Sequence, residues 1–174
     1  LYKVERRIKN SEGNYGSAKS YIDALFKKYS SLLVIRINPG YIAEVGKTVT
    51  IKQAQKHLRK FLNNWRSNKL FEHCVGYIWK MEMGDTKGFH FHIALFFNGN
   101  KHRKDEFLGL EISHYWDRVI TKGTGHCINS NQLKKKYRAM NLNIGIGMIE
   151  NYDFTKRGYL LDNIRYITKT DQYI

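Results

Sequence analysis

Two histidines one residue apart, His90 and His92, stand in an apolar, strand-like run from Gly88 to Asn98. Side chains two apart on a strand share a face, so the two imidazoles lie side by side. Glu82 belongs to the preceding strand-like run, Cys74 to Met83, across a short polar connection, Gly84-Asp85-Thr86-Lys87-Gly88. That connection is a hairpin signal, and a turn at 85–87 brings Glu82 near the level of His90 or His92. Cross-strand neighbours have Cβ atoms about 5 Å apart, close enough for three side chains to share one ion. Two imidazoles and a carboxylate, with other positions left to water or substrate, suit Mn²⁺ or Mg²⁺ as a Lewis acid. A structural zinc site would carry more His or Cys ligands. Among seven histidines a His-x-His pair arises readily by chance. The setting carries the reading, because two polar rings in a buried strand need partners.

A second constellation is Ile164-Arg165-Tyr166-Ile167-Thr168-Lys169-Thr170-Asp171-Gln172. In a helix Tyr166 and Lys169 share a face at i and i+3. A phenol is a poor nucleophile at neutral pH, but a nearby cation, or a metal polarising a target phosphate, makes its attack feasible. A phosphotyrosine bond formed that way conserves the energy of the cut strand for rejoining. Tyr173, two turns on, reads as packing or at most as contacting substrate. The pairs His73-Cys74 and His126-Cys127 match no zinc-finger spacing, since adjacent side chains of an extended chain point opposite ways. His102 and His114 read as helix-surface residues.

The elements that must position these groups follow from periodicity. Tyr21, Ile22, Leu25, Phe26 and Tyr29 predict a helix over 17–29, and Leu32 to Ile37 a strand over 31–38, ended by Pro39-Gly40. Over 50–66 apolar residues recur with a helical period, and Lys52, Lys56, Arg59, Lys60 and Arg66 form a basic outer face that can track backbone phosphates. Arg165, beside Tyr166, joins them as a candidate DNA contact. The hairpin follows, then a helix over 104–121, an irregular basic stretch over 123–141, a short strand over 144–149 and a last helix over 157–172. Hairpin strands with helices between the others predict an α+β architecture, an antiparallel sheet with helices packed on it.

The 174 residues fit one domain, 1–174, and one proline with no Gly/Ser-rich linker argues against two. Thirty Lys+Arg against fifteen Asp+Glu leave a charge of +15, which attracts polyanions, nucleic acid foremost. No stretch approaches the roughly 18 apolar residues of a membrane span, and the opening residues show no apolar signal-peptide core. Two cysteines make no disulfide framework. A cytoplasmic setting is expected, and a start without methionine suggests a piece of a longer chain.

The runs Gly76-Tyr77-Ile78-Trp79-Lys80-Met81-Glu82 and Gly88-Phe89-His90-Phe91-His92-Ile93-Ala94-Leu95-Phe96-Phe97-Asn98-Gly99, with Tyr166-Ile167-Thr168-Lys169-Thr170-Asp171-Gln172, resemble the motifs of inovirus-type gene II replication proteins. These are similar to the wider HUH endonuclease class of rolling-circle Rep proteins. The tyrosine follows the histidines, as in Rep proteins, whereas conjugative relaxases carry it first. The resemblance covers residues 30 to 174 and is densest in the quoted runs. It implies an HUH/Rep nuclease fold, an RRM-like sheet of about five antiparallel strands with flanking helices. It also implies Mn²⁺ or Mg²⁺ at Glu82, His90 and His92, Tyr166 as nucleophile, and Lys169 positioning tyrosine or phosphate. The expected activity is nicking and rejoining of single-stranded DNA at a replication origin, open or in a hairpin, through a 5′-phosphotyrosine. A bacterial host would supply polymerase and helicase. Two other readings stand beside it. Single-tyrosine HUH transposases share the chemistry. An RRM-like binding module would instead show aromatics on an open sheet face and hold no metal; Phe89 and Phe91, pointing away from the histidine face, are expected to meet core helices.

Overall fold

The computed structural model describes residues 2–64 and 67–169, with the side chains of 2–8 excepted. Its elements run α1 (Tyr2–Lys28), β1 (Ser31–Tyr41), a single helical turn α2 (Ala43–Gly46), α3 (Ile51–Asn63), β2 (Cys74–Gly84), β3 (Gly88–Asn98), α4 (Asp105–Tyr115), β4 (Gly125–Asn129), α5 (Lys134–Ala139), β5 (Gly147–Glu150) and α6 (Phe154–Thr168). The architecture is α+β: one five-stranded antiparallel sheet between two helical layers. No helix of the described residues is long and apolar enough to cross a membrane.

β1 is the central strand. One edge pairs with β3, which pairs in turn with β2. The other edge is shared end to end: β5 takes Ser31–Val34, and β4 takes Ile37–Tyr41. The strand therefore runs through Pro39, where the sequence predicted its end. The β1–β3 ladder stops at Ile37↔Ile93, so Pro39 is paired on one edge only and its missing N–H costs no ladder bond there.

Between β5 and β4 a gap opens on the edge of β1, and one side chain fills it. Asn131 Oδ1 accepts from Arg36 N at 2.9 Å, and Asn131 Nδ2 donates to Val34 O at 2.9 Å and to Asp105 Oδ2 at 2.7 Å. A side-chain amide thus stands in for a missing strand residue. Asn131 is wholly buried, so Asn131→Leu leaves an N–H, a carbonyl and part of a carboxylate unpaired. A loss of about 3 kcal/mol in urea denaturation is expected, and a loss below about 0.5 kcal/mol would contradict the bridging role. This stretch, which the sequence presents as irregular, holds β4, a tight turn and α5. Its order comes from long-range bonds that no local periodicity announces.

The longer helices α1, α3, α4 and α6 pack on the sheet by their buried apolar residues. On the first face α3 lays Ala54, Leu58 and Phe61, and α4 lays Ile112, against Leu33, Ile35, Ile37, Phe91, Ile93, Leu95 and Phe97. Trp116, in the π-helical turn after α4, is buried among them and donates to Gly40 O at 2.9 Å. Phe91 is fully buried here and Phe89 packs beside it, as expected of side chains opposite the histidines. A capping box of Thr50 and Gln53 starts α3. On the second face α1 (Ala18, Ile22, Leu25, Phe26) and α6 (Leu160, Ile164, Ile167) cover Leu32, Val34, Ala94, Phe96 and Ile149. Among the described side chains of α1 burial begins at Ala18, and the periodicity marked the helix from 17 although it starts at Tyr2.

Candidate metal and tyrosine site

On the second face the strands change character along their length. β1 presents Leu32 and Val34, then Arg36 and Asn38; β3 presents Phe96 and Ala94, then His92 and His90. The apolar half is roofed by α1 and α6, and the polar half holds the site.

The hairpin register places Glu82 directly opposite His90 and Lys80 opposite His92. Nε2 of His92 lies 3.0 Å, and Nε2 of His90 3.3 Å, from the same oxygen, Glu82 Oε2. The other nitrogen of each ring fixes its tautomer. His90 Nδ1–H donates to the Gly88 carbonyl at 3.2 Å, a group that can only accept. His92 Nδ1–H donates to Asn38 Oδ1 at 2.7 Å, while Asn38 Nδ2 is committed to Ser130 Oγ. With Nδ1 as the donor in each neutral ring, both Nε2 atoms face one carboxylate oxygen, a donor set that can hold a cation. Two ligands at right angles on an octahedral ion with bonds of 2.0–2.1 Å sit about 3 Å apart, which the two N–O separations match. A carbonyl and an amide that orient the ligand imidazoles are the usual outer partners of a metal site. Among the described residues no other three His, Cys, Asp or Glu side chains converge in this way.

Protonation suits the same role. Burial raises the Glu82 carboxyl pKa, yet the Lys80 ammonium bound to it, together with His92, prevails and holds it at about 2. Burial pushes the His92 pKa down, against the pull of Glu82. An ionised carboxylate and a neutral imidazole are the forms that bind a metal.

Gly88 is needed twice. Its φ is +67°, and a Cβ there would lie 2.1 Å from the Gly46 carbonyl oxygen. Its own carbonyl orients His90. Gly88→Ala is expected to cost about 2 kcal/mol or more in thermal unfolding and to weaken metal binding with it; unchanged melting would show that the turn absorbs the methyl.

α6 delivers the tyrosine. Its buried stripe of Leu160, Ile164 and Ile167 fixes the helix on the sheet, and Tyr166 beside that stripe meets His92 edge-on, with ring centroids 5.6 Å apart. The Arg36 guanidinium stands 5.8 Å from the centre of the Tyr166 ring. Tyr166 is half exposed, so its phenol is open to a substrate.

Lys169 stands at the C-terminal cap of α6, and its N–H still points to Tyr166 O at 3.4 Å. α6 ends at Thr168, and Lys169 has extended backbone (φ −61°, ψ 135°), because the helix terminates one residue short of it. The ammonium held in the site belongs to Lys80. The basic residues Lys52, Lys56, Arg59 and Lys60 ride on α3, which packs on the other face of the sheet, away from the triad. Arg165 stacks on the Tyr15 ring at 3.9 Å. Arg66 and Tyr173 lie outside the described residues. Sequence reasoning missed Arg36, Asn38 and Lys80. The signal was present in β1, where Arg36 interrupts a run of apolar residues on a central strand, and in Lys80, two residues from Glu82 and so on its face.

No curated protein and no solved structure matches the chain. One family model does, across residues 2–171, and its description names a domain without a reaction. With nearly its whole length matched, the chain belongs to the YagK/YfjJ C-terminal domain family.

Proposed function

We propose that this domain is a metal-dependent nuclease of the HUH type that nicks and rejoins single-stranded DNA through Tyr166. The observation that carries the reading is the meeting of Tyr166, from α6, with His92 of a Glu82–His90–His92 cluster whose lone pairs converge. A charge of +15 suits a polyanionic substrate.

Mn²⁺ or Mg²⁺ held by Glu82, His90 and His92 would supply Lewis-acid charge to the phosphate. The protein's own groups do the rest. The Tyr166 phenolic oxygen attacks phosphorus and gives its proton to solvent. The bond from phosphorus to the 3′-oxygen breaks, and that oxygen takes a proton to leave as a 3′-hydroxyl. The 5′-phosphate stays on Tyr166, and attack by a 3′-hydroxyl reverses the sequence and rejoins the strand. In its biological setting the reading is initiation of rolling-circle replication at an origin in the bacterial cytoplasm, with host polymerase and helicase as partners.

The test is a covalent one. Labelled single-stranded DNA with Mn²⁺ is expected to yield a protein–DNA adduct that survives a denaturing gel and is absent with EDTA. Cutting that EDTA leaves unchanged would overturn the metal role, and cutting without any adduct would overturn the tyrosine chemistry.

A further inference from the structure

Beside the triad lies a cleft of about 370 Å³ between β1, the segment 137–146 and α6. Arg36 and Asn38 form its floor, with Tyr137, Asn143, Tyr159, Asp162 and Asn163 among its walls. Asn38 belongs to both places, since its Oδ1 orients His92 and its Nδ2 holds Ser130, which also lines the cleft. Arg36 is shared as well, between the cleft and the Tyr166 ring.

Arg36 is an unusual residue for a structural role. Its Nε is buried with no hydrogen-bond partner, and no carboxylate of the described residues pairs with its guanidinium. Its side-chain contact is the face of Tyr166. A half-buried guanidinium whose Nε has no partner lowers stability, and it is the group best shaped to take a phosphate through two parallel N–H bonds. The cleft it opens onto has the volume of a small-ligand site, two tyrosines for a ring to lie against, and asparagine amides that both donate and accept.

We propose that this cleft is a subsite for one nucleotide of the single-stranded substrate, next to the phosphate that is cut, with Arg36 holding its phosphate and the base seated among Tyr137, Tyr159, Asn143 and Asn163. The proposal rests on the reading of the domain as a single-strand DNA enzyme. It assigns sequence preference to the cleft, because amides aimed at a base edge discriminate between bases while the triad and Tyr166 contact groups common to all nucleotides.

The experiment is an NMR titration of the whole domain, in EDTA, with each of the four deoxynucleoside 5′-monophosphates and, separately, inorganic phosphate. At least one nucleotide, at up to about 10 mM, is expected to shift the side-chain amides of Asn143 and Asn163 and the Arg36 Nε–H. One base is expected to bind more tightly than the others. Arg36→Met should weaken that binding at least about tenfold while melting no lower than the wild type, an outcome a structural arginine would not give. Asn143→Ala, on an exposed segment, should weaken it several-fold and level the preference between bases. The proposal is overturned if no nucleotide moves these signals, if inorganic phosphate moves them with equal affinity, if Arg36→Met binds as the wild type does, or if that variant unfolds. The adduct gel reports separately on the underlying reading. An adduct without nucleotide binding here removes the subsite and keeps the nickase; nucleotide binding without an adduct does the reverse.

Discussion

Tyr166→Phe is expected to abolish the covalent protein–DNA adduct and to lower the rate of strand cutting at least about a thousandfold. The substitution removes one oxygen and nothing else: the ring that meets His92 and Arg36 remains. Tyr166 is half exposed, so stability should stay within about 0.5 kcal/mol of the wild type. Binding of single-stranded DNA should persist, because affinity for the backbone comes from cationic side chains that the change leaves in place. That combination, lost chemistry with retained fold and binding, separates a nucleophile from a packing residue. An adduct that survives in Tyr166→Phe would sink the assignment, and peptide mapping of the adduct would then show which other tyrosine carries the phosphate.

The second large effect is at the triad. His92→Ala is expected to weaken Mn²⁺ binding by at least about a hundredfold and to end metal-dependent cutting. The loss should exceed that of Asn38→Ala, which removes only the group orienting the His92 ring and should cost about tenfold to a hundredfold. Calorimetric titration with Mn²⁺ measures both. Thermal unfolding gives an independent reading, since a ligand at a hundred times its Kd stabilises the folded state by about 2.7 kcal/mol. The wild type should therefore melt higher in Mn²⁺, and His92→Ala should not respond. Equal Mn²⁺ affinity in wild type and His92→Ala would remove the metal centre from the argument. If the metal response vanished but cutting continued, the triad would bind metal without serving the reaction.

Much of this site was legible in the residues. The alternation of β3 put His90 and His92 on one face, and the Gly-bounded turn put Glu82 across from them; the register of β2 and β3 places these side chains together. Those relations are local. They depend on the two-residue repeat of a strand and on the length of one turn, both of which a sequence displays directly. The apolar stripe of α3 was readable for the same reason. Where the reading departed from the structure, the deciding forces were not local. The last helix was read over 157–172, whereas α6 runs Phe154–Thr168 with Lys169 as its cap. The basic face of α3 was read as able to track backbone phosphates, and its apolar stripe docks it on the face of the sheet opposite the triad.

What the sequence determined by itself, then, was the α+β class, the hairpin with its three acceptor side chains, and a helix bearing Tyr166. Only the tertiary structure decided that α6 crosses the sheet where β3 carries His92, and that Arg36 lies between that tyrosine and a cleft whose lining includes Asp162. It also decided that Asn131 closes the edge of β1. The physical reason is the same in each case. Hydrogen bonding and side-chain periodicity within one element are set by residues a few positions apart. The meeting of β1, β3 and α6 depends on which apolar faces bury against each other, a choice made by the whole chain at once.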